Sequence, residues 1–344
     1  MITIDGSSGE GGGQVLRTAL SLSMVTGKPF AIVKIRAKRS RPGLLRQHLT
    51  CVLAAEKISG ATVTGAELGS TSVTFVPGPI KGGAYQFAIG TAGSTCLVFQ
   101  TILPALLHAD EPSHVLLSGG THNPFAPTFD YLDRVFCPLL ARMGASVSLS
   151  LRKPGFFPAG GGVWEAKIAP SQLVPLAIEE TGQRVSQMVR AHIATLPFAI
   201  AQREVATALT LLNWPPECGQ ARTVKADGHG NVVMVEVGHV HVTEMFTGFG
   251  ETRVSAEDVA ARVVDEVREY LSAGAPVGSH LADQLLLPMA LARGGSFVTG
   301  ALTEHARTNV DVTGKFLPVT FGVEQLDEKR FRVSVGDGIA TKLH

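Results

Sequence analysis

The chain alternates between two hydrophobic periods. Leu45, Leu49, Val52 and Leu53 fall at i, i+4, i+7 and i+8, which predicts one buried face of a helix ending before Gly60. Val147, Leu149 and Leu151 alternate with serines, which predicts a strand. Lys57-Ile-Ser-Gly60-Ala-Thr-Val63 is echoed by Arg142-Met-Gly144-Ala-Ser-Val147, so the same helix, glycine stop and strand recur. Reading outward, each copy opens on a Gly-rich loop and a helix, residues 12–25 and 92–107. An apolar strand follows, residues 30–35 and 114–117. Pro42 and Pro127 are expected in the first turn of each copy's second helix, where a missing N–H costs nothing.

A third copy is expected near the C-terminus. It has a helix over 280–291, a strand over 296–298, a helix after Glu304, and Phe331, Val333 and Val335 in alternation. The chain from about 178 to 275 does not fit the repeat. A strand at 190–194 and a helix over 198–212 make it a smaller inserted α/β domain. The expected fold class is therefore α+β, an α/β sandwich. One domain combines residues 1–177 and 276–344, and residues 178–275 form the other.

Composition narrows the function. With 344 residues, 45% hydrophobic and 17% charged, the chain can bury a large core and is not disordered. A net charge of +1 excludes coating nucleic acid by bulk electrostatics, so any such contact is local. Cys51, Cys96, Cys137 and Cys218 include no Cys-x-x-Cys pair, which argues against a zinc site or a disulfide framework and fits a cytoplasmic location. The start lacks a basic then apolar leader. The apolar run 96–107 is far shorter than the roughly 20 residues a spanning helix needs, so no membrane role is expected.

Three segments carry candidate chemistry. Gly6 to Gln14 opens a helix and can aim backbone N–H groups at an anion; the alternative is a turn that only starts the helix. Glu10, Gln14 and Arg17 favour the first reading. Lys34, Arg36, Lys38, Arg39, Arg41 and Arg46 form a dense basic cluster, with Arg36 and Lys38 expected on one strand face. It reads as a phosphate grip or as a solvated surface. His305 starts the second helix of the third copy and is either a nucleophile or a structural helix start. The equivalent ends of copies one and two hold Arg39 and Thr121-His122-Asn123, as one shared cleft would require. Metalloprotease and serine-hydrolase motifs are absent.

Together, Gly9-Glu10-Gly-Gly-Gly-Gln14-x-x-Arg17 and Ile35-Arg36-x-x-Arg39-x-x-Pro42-Gly43-Leu44-x-x-Gln47-His48-Leu49 resemble signatures of the RNA 3′-terminal phosphate cyclase family. Gly119-Gly120-Thr121, the run 155–162, Gly248-Phe249-Gly250-Glu251, His280-Leu281-Ala282-Asp283-Gln284 and Glu304-His305 with Thr308-Asn309 agree, nearly end to end. The resemblance implies three βαβαββ units with a smaller domain before the third. It also implies a ligase-type reaction: His305 takes AMP from ATP and passes it to an RNA 3′-phosphate, and the 2′-hydroxyl then closes a 2′,3′-cyclic phosphate. By the same resemblance Gln100, Phe249 and His280, Leu281, Ala282, Asp283 and Gln284 hold ATP. Gln14, Arg17, Arg36, Arg39 and Gln47 grip phosphates, and Glu10 binds a divalent cation, magnesium or manganese. Ala159 departs from the family pattern, which often has a basic residue there. RNA should be held mainly at its last nucleotides.

Two other readings compete. A relative without catalysis that serves ribosome assembly would lack the histidine. An enolpyruvyl transferase shares similar repeats and a basic site but needs neither a nucleotide-accepting histidine nor the insertion.

Overall fold

A computed structural model describes residues 1–9 and 11–338; Glu10, the candidate metal ligand, lies outside the described residues. The chain begins with β1 (Ile2–Asp5), α1 (Gln14–Thr26), β2 (Phe30–Val33), α2 (Arg46–Ser59), β3 (Thr62–Thr64) and β4 (Val73–Val76). They form a sheet of order β1-β2-β4-β3, with β1 and β2 parallel and the other pairs antiparallel. A parallel pair needs a crossover, and α1 supplies it.

The pattern returns in β5 (Gly83–Ala88), α3 (Thr95–Leu107) and β6 (Ser113–Gly119). A helical stretch follows, made of α4 (Phe129–Tyr131), a π turn at Leu132–Phe136 and α5 (Cys137–Arg142), and then β7 (Ser146–Lys153) and β8 (Gly162–Ala169). The order is β5-β6-β8-β7 with the same directions. It is met again after β9 (Leu176–Ile178), although the next strand of that sheet is far along the chain.

Between them lie β10 (Arg184–Ala194), α6 (Phe198–Leu212), β11 (Gly219–Thr223), β12 (Gly230–His239), β13 (Thr243–Phe249) and α7 (Ala256–Ala273). Then come α8 (Ser279–Leu291), β14 (Gly295–Thr299), α9 (Glu304–Phe316), β15 (Val319–Gln325) and β16 (Phe331–Asp337). The sheet β15-β16-β14-β9 has β9 parallel to β14 and its other pairs antiparallel. Ile178 pairs with Phe297 in this sheet.

The remaining sheet, β11-β10-β12-β13, has a different order. Its two faces have two destinations because strand side chains alternate. Val233, Val235 and Val237 pack with Ala201 and Val205 of α6 and Val263 and Val267 of α7. Val232 and Met234 point the other way, into the large core shared by the three like sheets. Strand β12 is thus buried on both sides, which explains its unbroken Val-Val-Met-Val run.

Local expectations need correction. Leu45 precedes α2 and is 37% exposed, and Leu53 is 44% exposed, so neither belongs to a buried face. The face of α2 that packs inward carries Val52 as expected, with Cys51, Ala55 and Ile58, and the half-buried Leu49 packs against the same core. Pro42 lies four residues before α2, in a turn closed by Gly43 N–H to the Ile35 carbonyl at 2.8 Å. Pro127 precedes the cap Thr128, whose hydroxyl accepts from Tyr131 N–H. Arg36 and Lys38 do not share a strand face. Strand β2 stops at Val33, and Lys34 and Arg36 turn the chain with φ of 54°.

Candidate functional site

Helices α1, α3, α8 and α9 converge on one cleft of about 460 Å³. That volume lies in the range of small-molecule sites. Helix α9 starts with Thr303 as its cap. The Thr303 hydroxyl accepts from Ala306 N–H at 3.0 Å and donates to Asp283 Oδ1 on α8 at 2.7 Å. One side chain therefore starts α9 and binds it to α8.

His305 follows at the second position of α9, and its Nδ1 stands 2.5 Å from Oε1 of Gln14, the first residue of α1. An amide oxygen only accepts, so Nδ1–H donates, and the bond orients the ring. One turn further, Asn309 joins three helices: its Nδ2 donates to the Asp283 carbonyl at 3.1 Å, and its Oδ1 accepts from the Thr18 hydroxyl at 2.7 Å. Thr18 and Asn309 are both buried, where a fully paired polar link fixes geometry.

Across the cleft, Gln100 of α3 donates to Oε1 of Gln284, and Gln284 Nε2 donates to the His280 carbonyl at 3.3 Å. The pKa of His280 is lowered, by burial first and by the charge of His305 second, so His280 presents a neutral ring. Gln14, Arg17, Gln100, Phe249, His280, Asp283, Gln284 and His305 all line the cleft. Leu97, Leu103, Leu287 and the fully exposed Phe125 add apolar wall.

The glycine loop is built by close approach. A Cβ on Gly13 would stand 2.3 Å from Nε2 of His48 and 2.8 Å from Nη1 of Arg17, and one on Gly9, at φ +58°, would stand 2.2 Å from the Thr308 hydroxyl. Glycine lets the loop lie against both α2 and α9. His48 accepts from Leu45 N–H at 3.3 Å, and its pKa falls to about 3, through burial and then the charges of Arg17 and Arg36.

Other expected residues have different surroundings. Arg36 donates to the carbonyls of Arg41 and, at 3.2 Å, Gly43, holding its own turn. Arg39 is in that turn, near enough to lower the pKa of Arg36 after burial. Gln47 Oε1 accepts from Ser94 N–H at 2.7 Å and so ties α2 to the cap of α3. Leu281 and Ala282 are buried in the large core, on the inner side of α8. None of these five lines the cleft.

The idea of one cleft shared by three equivalent ends also needs correction: His305 lines it, whereas Arg39 and the buried His122 do not. Ala159 packs where Gly228 comes close, since a Cβ on Gly228 would meet its Cβ at 2.5 Å. Thr18 and Phe125 are site residues that the sequence patterns do not single out, and Thr303 and Asn309 enter there only as parts of a motif. Threonine at a helix start, as at Thr303, carries a general capping signal, which does not say what lies across the cleft.

Fold and cleft define a class: an α+β protein with a small-molecule cleft into which one helix start presents an oriented histidine. The RNA 3′-terminal phosphate cyclase family model matches residues 8–323, and the chain belongs to that family. It is 52% identical over 338 residues to the RNA 3′-terminal phosphate cyclase of Ectopseudomonas mendocina, covering 98% of each chain. The Pseudomonas fluorescens protein of that name is 53% identical over 336 residues, covering 97% of each chain. The Koribacter versatilis one is 52% identical, covering 97% of this chain and 95% of the other. Among the described residues, no helix is long and apolar enough to cross a membrane.

Proposed function

We propose that this chain is an ATP-dependent RNA 3′-terminal phosphate cyclase acting in the cytoplasm through a nucleotide held covalently on His305. The observation that supports the reading is the Gln14–His305 hydrogen bond, which orients the imidazole at the wall of the cleft. Nε2 attacks the α-phosphorus of ATP, forming an N–P bond as pyrophosphate departs. An oxygen of the RNA 3′-phosphate then attacks the same phosphorus and returns the imidazole. The 2′-hydroxyl attacks the activated 3′-phosphate, AMP leaves, and a 2′,3′-cyclic phosphate remains.

On this reading Arg17, which lines the cleft, offsets phosphate charge, and Phe249 and the apolar wall receive the adenine. The carboxylate of Asp283 in the cleft suits a hard divalent cation, magnesium or manganese, with Glu10 as a further ligand; when bound, such an ion neutralises triphosphate charge. Arg36, Arg39 and Gln47 act indirectly on this reading, by shaping the loop and helix start beside the cleft. We also assign the sheet β11-β10-β12-β13 with α6 and α7 to a separate inserted domain, because it keeps a hydrophobic cluster of its own.

The test is incubation with ATP labelled on the α-phosphate and a divalent cation. Acid-labile label on the wild type, absent from His305→Asn, is expected. Its absence from both proteins sinks the enzymatic reading in favour of a binding protein.

A further inference from the structure

Outside the cleft, three side chains from different parts of the fold meet. His122 follows β6, Asp130 lies in α4, and His192 stands on β10 of the sheet with its own order. Each offers a ligand atom within 4.8 Å of the others. His122 Nε2 is 2.9 Å from Asp130 Oδ2, a hydrogen-bond distance a few tenths of an ångström short of the roughly 3.3 Å between tetrahedral ligands that each sit about 2.0–2.1 Å from one zinc ion.

The ring of His122 is oriented from behind: the Thr121 hydroxyl lies 2.8 Å from Nδ1, which turns Nε2 toward Asp130. An outer contact of that kind fixes metal-binding histidines. His192 completes the set. Its ring centroid is 6.4 Å from that of His122, and among the described residues its side chain makes no hydrogen bond. A simple His122–Asp130 pair would need no third group; a partly buried imidazole turned toward it without a partner is an unused ligand.

We propose that His122, Asp130 and His192 bind one divalent transition-metal ion of zinc or cobalt type, at a site separate from the His305 cleft. Two imidazoles and a carboxylate suit ions of borderline softness and leave a fourth position open. The scattered cysteines could not report such a site, because it uses no thiol. Its consequence lies in connectivity. The loop between His122 and Asp130 carries Phe125, Ala126, Pro127 and Thr128, all of which line the cleft. The ion fastens both ends of that loop to β10, and so joins the cleft wall to the sheet β11-β10-β12-β13.

The experiment uses the full chain, stripped with a chelator and dialysed against cobalt or zinc in the presence of excess magnesium. Wild type, His192→Gln, Asp130→Asn and His305→Gln are compared by ion content and by the visible absorption of bound cobalt, with circular dichroism confirming each fold. Wild type and His305→Gln are expected to retain one more equivalent than His192→Gln and Asp130→Asn, and to show a visible cobalt band that those two lack. Equal ion content in wild type and a folded His192→Gln or Asp130→Asn overturns the proposal and leaves His122 and Asp130 as a hydrogen-bonded pair only.

Discussion

The contact between His305 and Gln14 reduces to one proton. Because the Gln14 oxygen accepts from Nδ1, the ring is held in one orientation. Leucine at position 14 would fill similar space and accept nothing. Gln14→Leu is expected to slow formation of the His305 adduct by about 10- to 100-fold, the equivalent of losing one good hydrogen bond. Single-turnover labelling measures that rate, and an unchanged rate would remove Gln14 from the positioning role. His305→Asn should instead lose at least about 10³-fold, since no other group replaces the nucleophile.

Among the helices, the critical joint is Asn309. It bonds to Thr18 on α1 and to the Asp283 carbonyl on α8, so three helix positions depend on one amide. Asn309→Ala leaves a buried hydroxyl and a carbonyl without that partner, and a cost of about 1–3 kcal/mol is expected in urea unfolding. The labelling rate should fall as well, because α9 carries His305. If stability fell and the rate did not, the joint would hold the fold without setting the site. Helix boundaries also show which signals were readable. Helix α6 runs over Phe198–Leu212 as expected, whereas of the apolar positions expected on the buried face of α2, Leu45 and Leu53 are exposed, because periodicity marks apolar residues, not the direction of the neighbouring helix.

For the whole molecule, the connection between the two hydrophobic clusters includes a titrating group. Glu244 of β13 is buried and accepts from Gly278 N–H, at the start of α8, at 2.6 Å. Burial raises its pKa to about 8, against the partial opposition of backbone hydrogen bonds. Between the ordinary value of 4.5 and about 8, the folded chain keeps a proton that the unfolded chain has released. The group therefore makes stability fall as pH rises through that window. Glu244→Gln keeps an acceptor for Gly278 and cannot ionise, so its unfolding free energy should decline less between pH 5 and 8 than that of the wild type. Parallel urea titrations across that range provide the check; matching slopes would show that Glu244 is charged in the folded state.

The repeated pattern of glycine stops, alternating strands and amphipathic helices was legible in the chain because periodicity and turn chemistry are local properties. So was the placement of His305 at a helix start, and the glycine run ahead of α1. Tertiary structure alone decided which polar residues meet. It turned Gln14 toward His305, placed Gln100 against Gln284, sent Leu281 and Ala282 into the core, and kept Arg36 for its own turn. It also brought His192 to His122 and Asp130, residues more than sixty positions apart. These contacts depend on how whole elements pack against one another, and the period of a single element carries no information about what it will face.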